Sequence, residues 1–550
     1  MAFERLLVPL REGRVLDRAG GLLFVDKPAG IPVHGGDETL AGDLVSRLGR
    51  FLVERGEEGY VGVHQRLDEG TSGVLLFTSA RAQNAGVAHA SAERALARRY
   101  VAAVTLGSPR FAHRLAQGPV RLAHQLELDD GRARVVARGG VSAVATVTLM
   151  ERVGDRALVA LEPETGRTHQ LRVQLSHEGA PLGGDELYGG ERAPRLLLHA
   201  TALEYDGRRH EVPMPALFRS WVQGVEPPLG DERAVALALE DAGILRAPLA
   251  AFADTYRLAN ELGDDLPGVT VDRYGDFAVL QVSTAAAEQR ALELGHLLVE
   301  LGARGVYLKR RVKGDARKAG AEATPAAPIA GEAAPERFAV SEHGMKIWVE
   351  LAHGLSTGLF VDQRDNRRRI RELARGANVL NLFSYTASFS VAAALGGARR
   401  VVSVDVSRRP LELARDNFTL NGLDPQAHAF EQADALAWLT RAGARGQRFD
   451  VIVLDPPSFA SRAGGAAWNV EKGYGLAAER ALALLAPGGR LLAVTNHRKT
   501  SLGRLRRTLR EAAARARVPV AKLRDLPAGL DCPGGSDGPV PSKSVLLTRA

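Results

Sequence analysis

The sequence predicts a multidomain α/β and α+β chain, with a mainly antiparallel sheet first, a small α+β domain in the middle and a doubly wound parallel sheet last. Three observations carry this. The chain has 550 residues, too many for one ordinary hydrophobic core when domains run to about 100–200 residues each. Its first part consists of short β-branched and leucine runs separated by Gly, Pro and Asp, and its last part alternates such runs with helical patterns.

In residues 1–228 the runs GLLFVDKP, GVLLFTS, YVAAVTL, ATVTLME and ALVALEP follow one another with few helical stretches between them. That is the pattern of antiparallel strands joined by turns. VEPPLGDERA, Val225 to Ala234, has the Pro-Pro-Leu-Gly punctuation of a boundary. Within residues 229–338, ERAVALALEDAGILRAPLAAF reads as helix, and LPGVTVDRYGDFAVLQVST as two strands joined at Tyr274-Gly275-Asp276. The Ala/Pro/Gly-rich stretch at residues 319–336 is expected to be a mobile loop. In residues 339–550, NVLNLFS, SVAAALGG, VVSVDVS, PLELARDNFTLNGL, FDVIVLDPP, AAERALALL and RLLAVTN alternate strand with helix, which predicts a doubly wound, Rossmann-like sheet.

The balance is basic, 72 Lys+Arg against 64 Asp+Glu and a formal net charge of +8. This suits a polyanionic partner, although arginine-rich composition also follows from a GC-rich genome. A single cysteine, Cys532, excludes an intramolecular disulfide and any cysteine-built metal site. No metal is expected. The opening MAFERLLVPLREGRVLDR has no apolar core of signal-peptide type and no run reaches membrane-spanning length, so a soluble cytoplasmic protein is expected.

RLDEGTSGVLLF, Arg66 to Phe77, sets one carboxylate, Asp68, between an arginine and a small-residue turn. GRTHQLRVQL, Gly166 to Leu175, supplies an arginine-rich segment that can meet it in space. An Asp in such a string is commonly a turn residue. Together with DKPAGIPVHGG, ARRY, GAPLGGDELYG and LLLHA in this order, however, these segments resemble the RluA-type pseudouridine synthases. The resemblance implies a cofactor-free isomerisation of uridine to pseudouridine, in which a carboxylate acts at the ribose and base as nucleophile or proton acceptor. The target nucleotide must leave its stack to reach that carboxylate. It further implies that Asp68 is that carboxylate, that Arg66 fills the space left by the flipped base and that Tyr100 packs against the base. Arg172 would pair with Asp68 and keep it ionised and oriented. Gln65 stands directly before Arg66 where the family has His, with His64 one position earlier. The small N-terminal RNA-binding module of many related synthases is not apparent, which leaves RNA recognition to the catalytic domain or the appended one.

NVLNLFSYTASFS places a small-residue turn between a strand and a helix, where backbone amides can receive a nucleoside cofactor. VVSVDVS ends a second strand at Asp405, placed to accept ribose hydroxyls; QADALAWL offers Asp434 for an adenine amino edge; FDVIVLDPPSF ends a strand at Asp455-Pro456-Pro457. A strand-terminal Asp can equally be a helix cap. The order resembles class I S-adenosylmethionine-dependent methyltransferases, above all the large-subunit rRNA enzymes of the RlmI and RlmK types, over Tyr256 to Ala550. DRYGDFAVLQV, VSEHGMKIWVEL, STGLFVDQRDNRR and LARDNFTLNGL belong to the same likeness. The resemblance implies S-adenosyl-L-methionine held by Gln363, Asn381, Phe383, Ser384, Tyr385, Thr386, Asp405, Asp434 and Asp455, with Asp455 also catalytic. Ala387 stands where these families commonly have Gly.

Methylation at carbon 5 of cytosine needs a cysteine nucleophile. Cys532 lies far beyond the Asp-Pro-Pro motif in sequence, and LLAVTNHRKTS occupies the segment where the cytosine enzymes place theirs. Guanine N7 already carries a lone pair and needs only orientation, so it is the expected acceptor. Asp455, Pro456, Pro457 and Phe459 would position the base, while Asn496, His497, Arg498 and Lys499 would contact RNA. YLKRRVKGDARK, Tyr307 to Lys318, clusters positive charge that can neutralise phosphates or stand as a plain solvated run. The expectation is a bifunctional RNA-modifying enzyme acting on large-subunit rRNA or the assembling subunit, with no membrane partner. The alternatives are another base position, including cytosine C5, or an RNA-binding ribosome-assembly factor with one inactive domain.

Overall fold

A computed structural model describes residues 3, 5–35, 42–93, 95–129, 131–311, 324–352, 354–457, 459–460, 468–497, 499–533 and 542–550. Contacts divide the chain into two units: Arg5–Pro248 with Leu262–Pro267, and Met1–Glu4 with Leu249–Glu261 and Gly268–Ala550.

The first unit is built on an 11-stranded sheet. Its strands are β1 (Val15–Asp17), β2 (Leu22–Lys27), β3 (Gly62–Val63), β4 (Ser72–Thr78), β5 (Ala97–Thr105), β6 (Val120–Asp129), β7 (Arg132–Val136), β8 (Val141–Val153), β9 (Arg156–Pro163), β10 (Leu198–Tyr205) and β11 (Arg208–Glu211). The order is β1-β2-β4-β10-β5-β9-β8-β6-β7, with β3 on β4 and β11 on β10. Every pairing is antiparallel except that of β4 with β10. All of β4 is buried, which is why SGVLLFT reads as a continuous apolar run rather than an alternating one. Gly73 is required there: its φ is +113°, and a Cβ would meet the Ala200 carbonyl oxygen at 2.1 Å.

The Pro-Pro-Leu-Gly punctuation falls inside this unit. The helix Glu232–Arg246 buries Val235, Leu239 and Ala242, and Asp241 takes a hydrogen bond from Arg14 Nε at 2.9 Å. Buried Arg246 is clamped by both oxygens of Asp264 at 2.6 Å. The chain therefore changes unit after Pro248 rather than at residue 228, because ion pairs and apolar contacts bind this helix back to the preceding sheet.

The second unit contains, among the described residues, a five-stranded sheet, a hairpin, a seven-stranded sheet and a further small hairpin. The five-stranded sheet comes first: β12 (Thr255–Asn260), β13 (Val269–Tyr274), β14 (Phe277–Val282), β15 (Gly305–Arg310) and β16 (Ala330–Gly331), in that order. β16 lies within the stretch expected to be a loop. Residues 319–323 of that stretch are outside the described residues, but Ile329 N–H donates to the Val306 carbonyl (2.8 Å) and Glu332 N–H to that of Arg304 (2.8 Å). Composition was a poor guide here because sheet pairing is made by backbone groups. A hairpin, β17 (Phe338–Glu342) and β18 (Met345–Val349), follows.

The last sheet contains β19 (Asn378–Leu382), β20 (Arg400–Asp405), β21 (Ala429–Gln432), β22 (Phe449–Leu454), β25 (Leu485–Thr495), β26 (Val520–Leu526) and β27 (Lys543–Arg549), with β23 (Phe459–Ala460) and β24 (Trp468–Asn469) as a separate small hairpin. The order is β21-β20-β19-β22-β25-β27-β26. Pairing is parallel from β21 to β25 and antiparallel through β27 and β26. Successive residues enter opposite cores: Leu380, Leu382, Ile452 and Leu454 pack in one, Val379, Val451 and Val453 in the other. That is the period-two signature of a sheet covered on both faces. Strand order reverses between β19 and β22, and in such sheets ligands bind beyond the strand ends at that reversal. Among the described residues no helix is long and apolar enough to cross a membrane.

Candidate active sites

In the first unit Asp68 occupies the turn between β3 and β4, its carbonyl accepting the Thr71 N–H at 3.0 Å. The turn is held from below by Lys27, a wholly buried side chain at the end of β2. Its ammonium donates to the carbonyls of Pro28 (3.0 Å), Ile31 (2.7 Å) and Glu69 (3.0 Å). Burial pushes the Lys27 pKa down to about 7, against the upward pull of Glu69 and Asp68.

The helix Gln170–His177 presents Arg172 to Asp68 from across the unit. Arg172 NH1 donates to Asp68 Oδ2 at 3.0 Å, while Nε and NH2 both donate to Asp185, each at 2.7 Å. The Asp185 side chain is 0% exposed. Burial opposes the Arg172 charge, but the hydrogen bonds and charges of Asp185, then Asp68, outweigh it and hold the guanidinium pKa above its ordinary value. A bidentate fork on one carboxylate fixes the plane of the guanidinium and thereby the direction of its remaining nitrogen.

Tyr100 lies on β5, paired with Ala200 of β10 and Leu161 of β9. Burial raises its pKa, and Asp68 adds to the rise, which places the phenol in the carboxylate's electrostatic reach. Arg66 is exposed two residues before Asp68. His64 turns the other way, its Nε2 against Thr78 Oγ1 at 3.1 Å, and so supports the strand. His169, at the start of the Arg172 helix, lies 3.9 Å from Asp68 Oδ1 through Nε2 and 2.9 Å from the Tyr188 hydroxyl through Nδ1. His169, Asp185, Tyr188 and Lys27 were not singled out from sequence; each sits inside a quoted motif, but its partner is visible only after folding.

In the second unit the turn after β19 alternates left-handed residues: Phe383 (φ +58°), Tyr385 (+50°) and Ala387 (+60°). Three non-glycine residues in that region within five positions store strain, and N–H groups of the turn are tied back to the protein: Ser384 N–H donates to the Val404 carbonyl at 3.0 Å and Ala387 N–H to that of Ser384 at 2.8 Å. Asp405 braces the turn, accepting the N–H groups of Tyr385 and Ser407 at 2.9 Å each. Each carboxylate oxygen keeps a lone pair for a hydroxyl. Thr386 Oγ1 donates to the Gly358 carbonyl at 2.6 Å, and the Tyr385 ring lies 5.4 Å from that of Phe360. Asn381 is buried and donates to Ser390 Oγ at 2.9 Å, so its amide ties β19 to the next helix. Asp434 caps the helix Ala435–Ala444, accepting Ala437 N–H at 2.9 Å. The buried Ser384 hydroxyl has no partner among the described residues.

Asp455 ends β22, on the far side of the strand reversal. Burial pushes its pKa up to about 7, the neighbouring Asp362 carboxylate adds to the rise, and Arg367 opposes it. Asp362 was not foreseen. It accepts from Ser542 Oγ and, at 3.2 Å, from Gln363 Nε2, whose carbonyl oxygen takes Asn366 Nδ2 at 2.8 Å. Asp362, Gln363, Asn366 and Ser542 line a small cleft with Arg369, Cys532 and Ser544. Sequence distance had set Cys532 apart from the Asp-Pro-Pro motif; the tertiary fold brings it to the cleft that Asp362 shares. Its loop is held there by Asp531, which accepts both terminal nitrogens of Arg364 at 2.9 Å.

Pro456 is buried, Pro457 and Asn496 are exposed, and His497 Nδ1 bonds Thr500 Oγ1 at 2.8 Å. Arg498 lies outside the described residues, as does the Phe459 side chain. In the basic run after β14, Lys309 is buried and donates to the carbonyls of Leu351 (2.7 Å) and Gly354 (2.6 Å), so it is a structural cation rather than a phosphate contact. Residues 312–318 of that run are outside the described residues.

Residues 21–177 match the family model of RNA pseudouridylate synthase, and residues 314–530 that of S-adenosylmethionine-dependent methyltransferase. One stretch of the chain thus matches an RNA pseudouridylate synthase domain and a second an S-adenosylmethionine-dependent methyltransferase domain. Its second part is similar to ribosomal RNA large subunit methyltransferase I of Escherichia coli O127:H6, 43% identical over 206 residues, or 38% of this chain and 52% of that protein. The protein of the same name from Erwinia tasmaniensis is 38% identical over 239 residues, 44% of this chain and 60% of that one. The chain spans about half the length of the curated relatives it matches. A putative methyltransferase solved in complex with SAH superposes with a TM-score of 0.51 at 29% identity, over 57% of this chain and 81% of that one.

Proposed function

We propose that the protein modifies large-subunit ribosomal RNA at two places, isomerising a uridine to pseudouridine with its first unit and methylating a base with its second. The observation that carries the first activity is the 3.0 Å contact of Asp68 with an Arg172 already fixed by buried Asp185. In the reaction the bond from C1′ to uracil N1 breaks, the base turns, C5 bonds to C1′, the C5 proton leaves and N1, released from the sugar, takes up a proton. Nothing is oxidised or reduced, so a carboxylate suffices and no cofactor is needed. Asp68 attacks or takes a proton at the sugar, Arg172 orients it, Tyr100 packs on the base, and exposed Arg66 takes the place the base vacates.

In the second unit the strained turn and the orphaned Ser384 hydroxyl fit a polar, nucleoside-sized group. Bound S-adenosylmethionine supplies an activated methyl group. Tyr385, Thr386, Asp405, Asp434 and Gln363 bind and orient it, while Asp455, with Pro456 and Pro457, sets the acceptor base. Guanine N7 is the acceptor we favour, since it needs only orientation and no cysteine lies in the Asp455 turn or in the Thr495–Lys499 segment. One observation favours a second reading: Cys532 lines the same cleft as Asp362. A thiolate there could add to C6 of a cytosine and make C5 nucleophilic, with the C5 proton and the thiolate leaving after transfer. The formal net charge of +8 suits the RNA partner.

The test is nucleoside mapping of rRNA from a deletion strain complemented with wild type, Asp68→Ala or Asp455→Ala. One pseudouridine is expected to vanish with the first variant only and one methylated base with the second only; unchanged rRNA in all strains would end the rRNA assignment.

A further inference from the structure

The pair formed by His169 and Asp68 has a property the reaction above does not use. His169 has left-handed backbone, φ +53°, unusual for a residue other than glycine or asparagine. Its Nδ1 lies 2.9 Å from the hydroxyl of Tyr188, a residue only 7% exposed. The Tyr188 oxygen accepts the Ala133 N–H at 3.0 Å, so the one proton of the phenol is free to be given to His169 Nδ1. A neutral imidazole with Nδ1 as acceptor carries its proton on Nε2. Burial, together with Arg172, lowers the His169 pKa and keeps the ring neutral, against the pull of Asp68. Nε2–H therefore faces Asp68 Oδ1 across 3.9 Å. That gap is too long for a hydrogen bond, and one oxygen atom can sit within hydrogen-bond distance of both groups. The other Asp68 oxygen is taken by Arg172.

We propose that His169 and Asp68 together clamp the 2′-hydroxyl of the target nucleotide, which donates to Asp68 Oδ1 and accepts from His169 Nε2–H. The 2′-hydroxyl is both donor and acceptor, adjoins the glycosidic carbon, and is the group that separates RNA from DNA. His169 is then a catalytic residue that touches substrate, and Tyr188 is a positioning residue that sets its tautomer.

This rests on the synthase reading, and the test separates the two. Once mapping has located the target, the full chain is assayed by single turnover on a transcript carrying either uridine or 2′-deoxyuridine at that position. The wild type should be about a hundredfold slower on the deoxy substrate, about tenfold for each of the two hydrogen bonds lost. His169→Ala should lose about tenfold on the ribose substrate, the equivalent of its one bond, and almost nothing more on the deoxy one. His169→Gln, which keeps an N–H donor at the reach of Nε2, should outperform His169→Asn, although asparagine suits a left-handed backbone better. Losses that multiply, or Asn outperforming Gln, would overturn the clamp and leave the synthase reading standing. No pseudouridine from the wild type, or full activity in Asp68→Asn, would remove the synthase reading and the clamp with it.

Discussion

Asp185, wholly buried, takes two nitrogens of Arg172 at 2.7 Å each and leaves the guanidinium one direction in which to reach. The group it reaches is Asp68, so the arginine that pairs with the proposed reactive carboxylate is aimed by a second, buried carboxylate. Asparagine at 185 keeps the shape but loses the charge and one acceptor. Asp185→Asn is expected to lower kcat for pseudouridine formation with KM for RNA unchanged. Arg172→Met strands a buried carboxylate and should destabilise the first unit by roughly 3–5 kcal/mol, read by urea unfolding of the full chain.

The Asp455 carboxyl should set the pH dependence of methyl transfer. Its folded pKa is about 7 because of burial, then Asp362, whereas a free aspartate titrates near 3.9. Methylation is expected to rise with pH through about 7 as the carboxylate forms, and Asp455→Asn should remove that rise along with most activity. For stability the folded state binds this proton more tightly than the unfolded chain. The contribution of Asp455 is therefore present at acid pH and lost as pH rises through about 7, with stability falling between the two pKa values. A stability profile of Asp455→Asn that keeps the wild-type slope in that window would contradict the assignment.

Ala387 adopts φ +60° in the cofactor turn, where a glycine bears no Cβ penalty. Ala387→Gly should relieve about 1 kcal/mol of strain and leave binding of S-adenosylmethionine intact. Ala387→Val should weaken it sharply, because a β-branched residue resists that backbone. Isothermal titration with the cofactor and a thermal melt read both effects.

Cys532 decides between the two acceptor readings. Under guanine N7 methylation Cys532→Ser should retain near wild-type kcat, since no covalent step is needed. Under cytosine C5 methylation it should abolish turnover, and the methylated nucleoside in digested rRNA would be 5-methylcytidine. Either result is read from the same mass spectrum.

Much of the fold was legible because strand and helix periodicity is a local property. β4, β19, β20 and β22 show as short, largely apolar runs, and the positions of Asp405 and Asp455 at strand ends follow from β20 and β22. The turn after β19 was legible as a small-residue segment, but not its alternating left-handed residues. The Ala/Pro stretch containing β16 misled, since backbone pairing leaves little trace in composition. For Lys309 neither phosphate contact nor a solvated charge was the outcome, because a lysine's charge does not reveal whether carbonyls will enclose it.

By itself the sequence determined the two families of domain, the order of the strands along the chain, and the segments that carry Asp68, Arg172, Asp405 and Asp455. These depend on residue type and spacing over a few positions. Only the tertiary structure decided that the helix Glu232–Arg246 belongs to the first unit, that Asp185 aims Arg172, that Tyr188 sets the face His169 shows to Asp68, and that Cys532 reaches the cleft of Asp362. Each of those is a contact between segments distant along the chain, and its energy depends on burial and hydrogen-bond geometry that exist only once the sheets have closed over it.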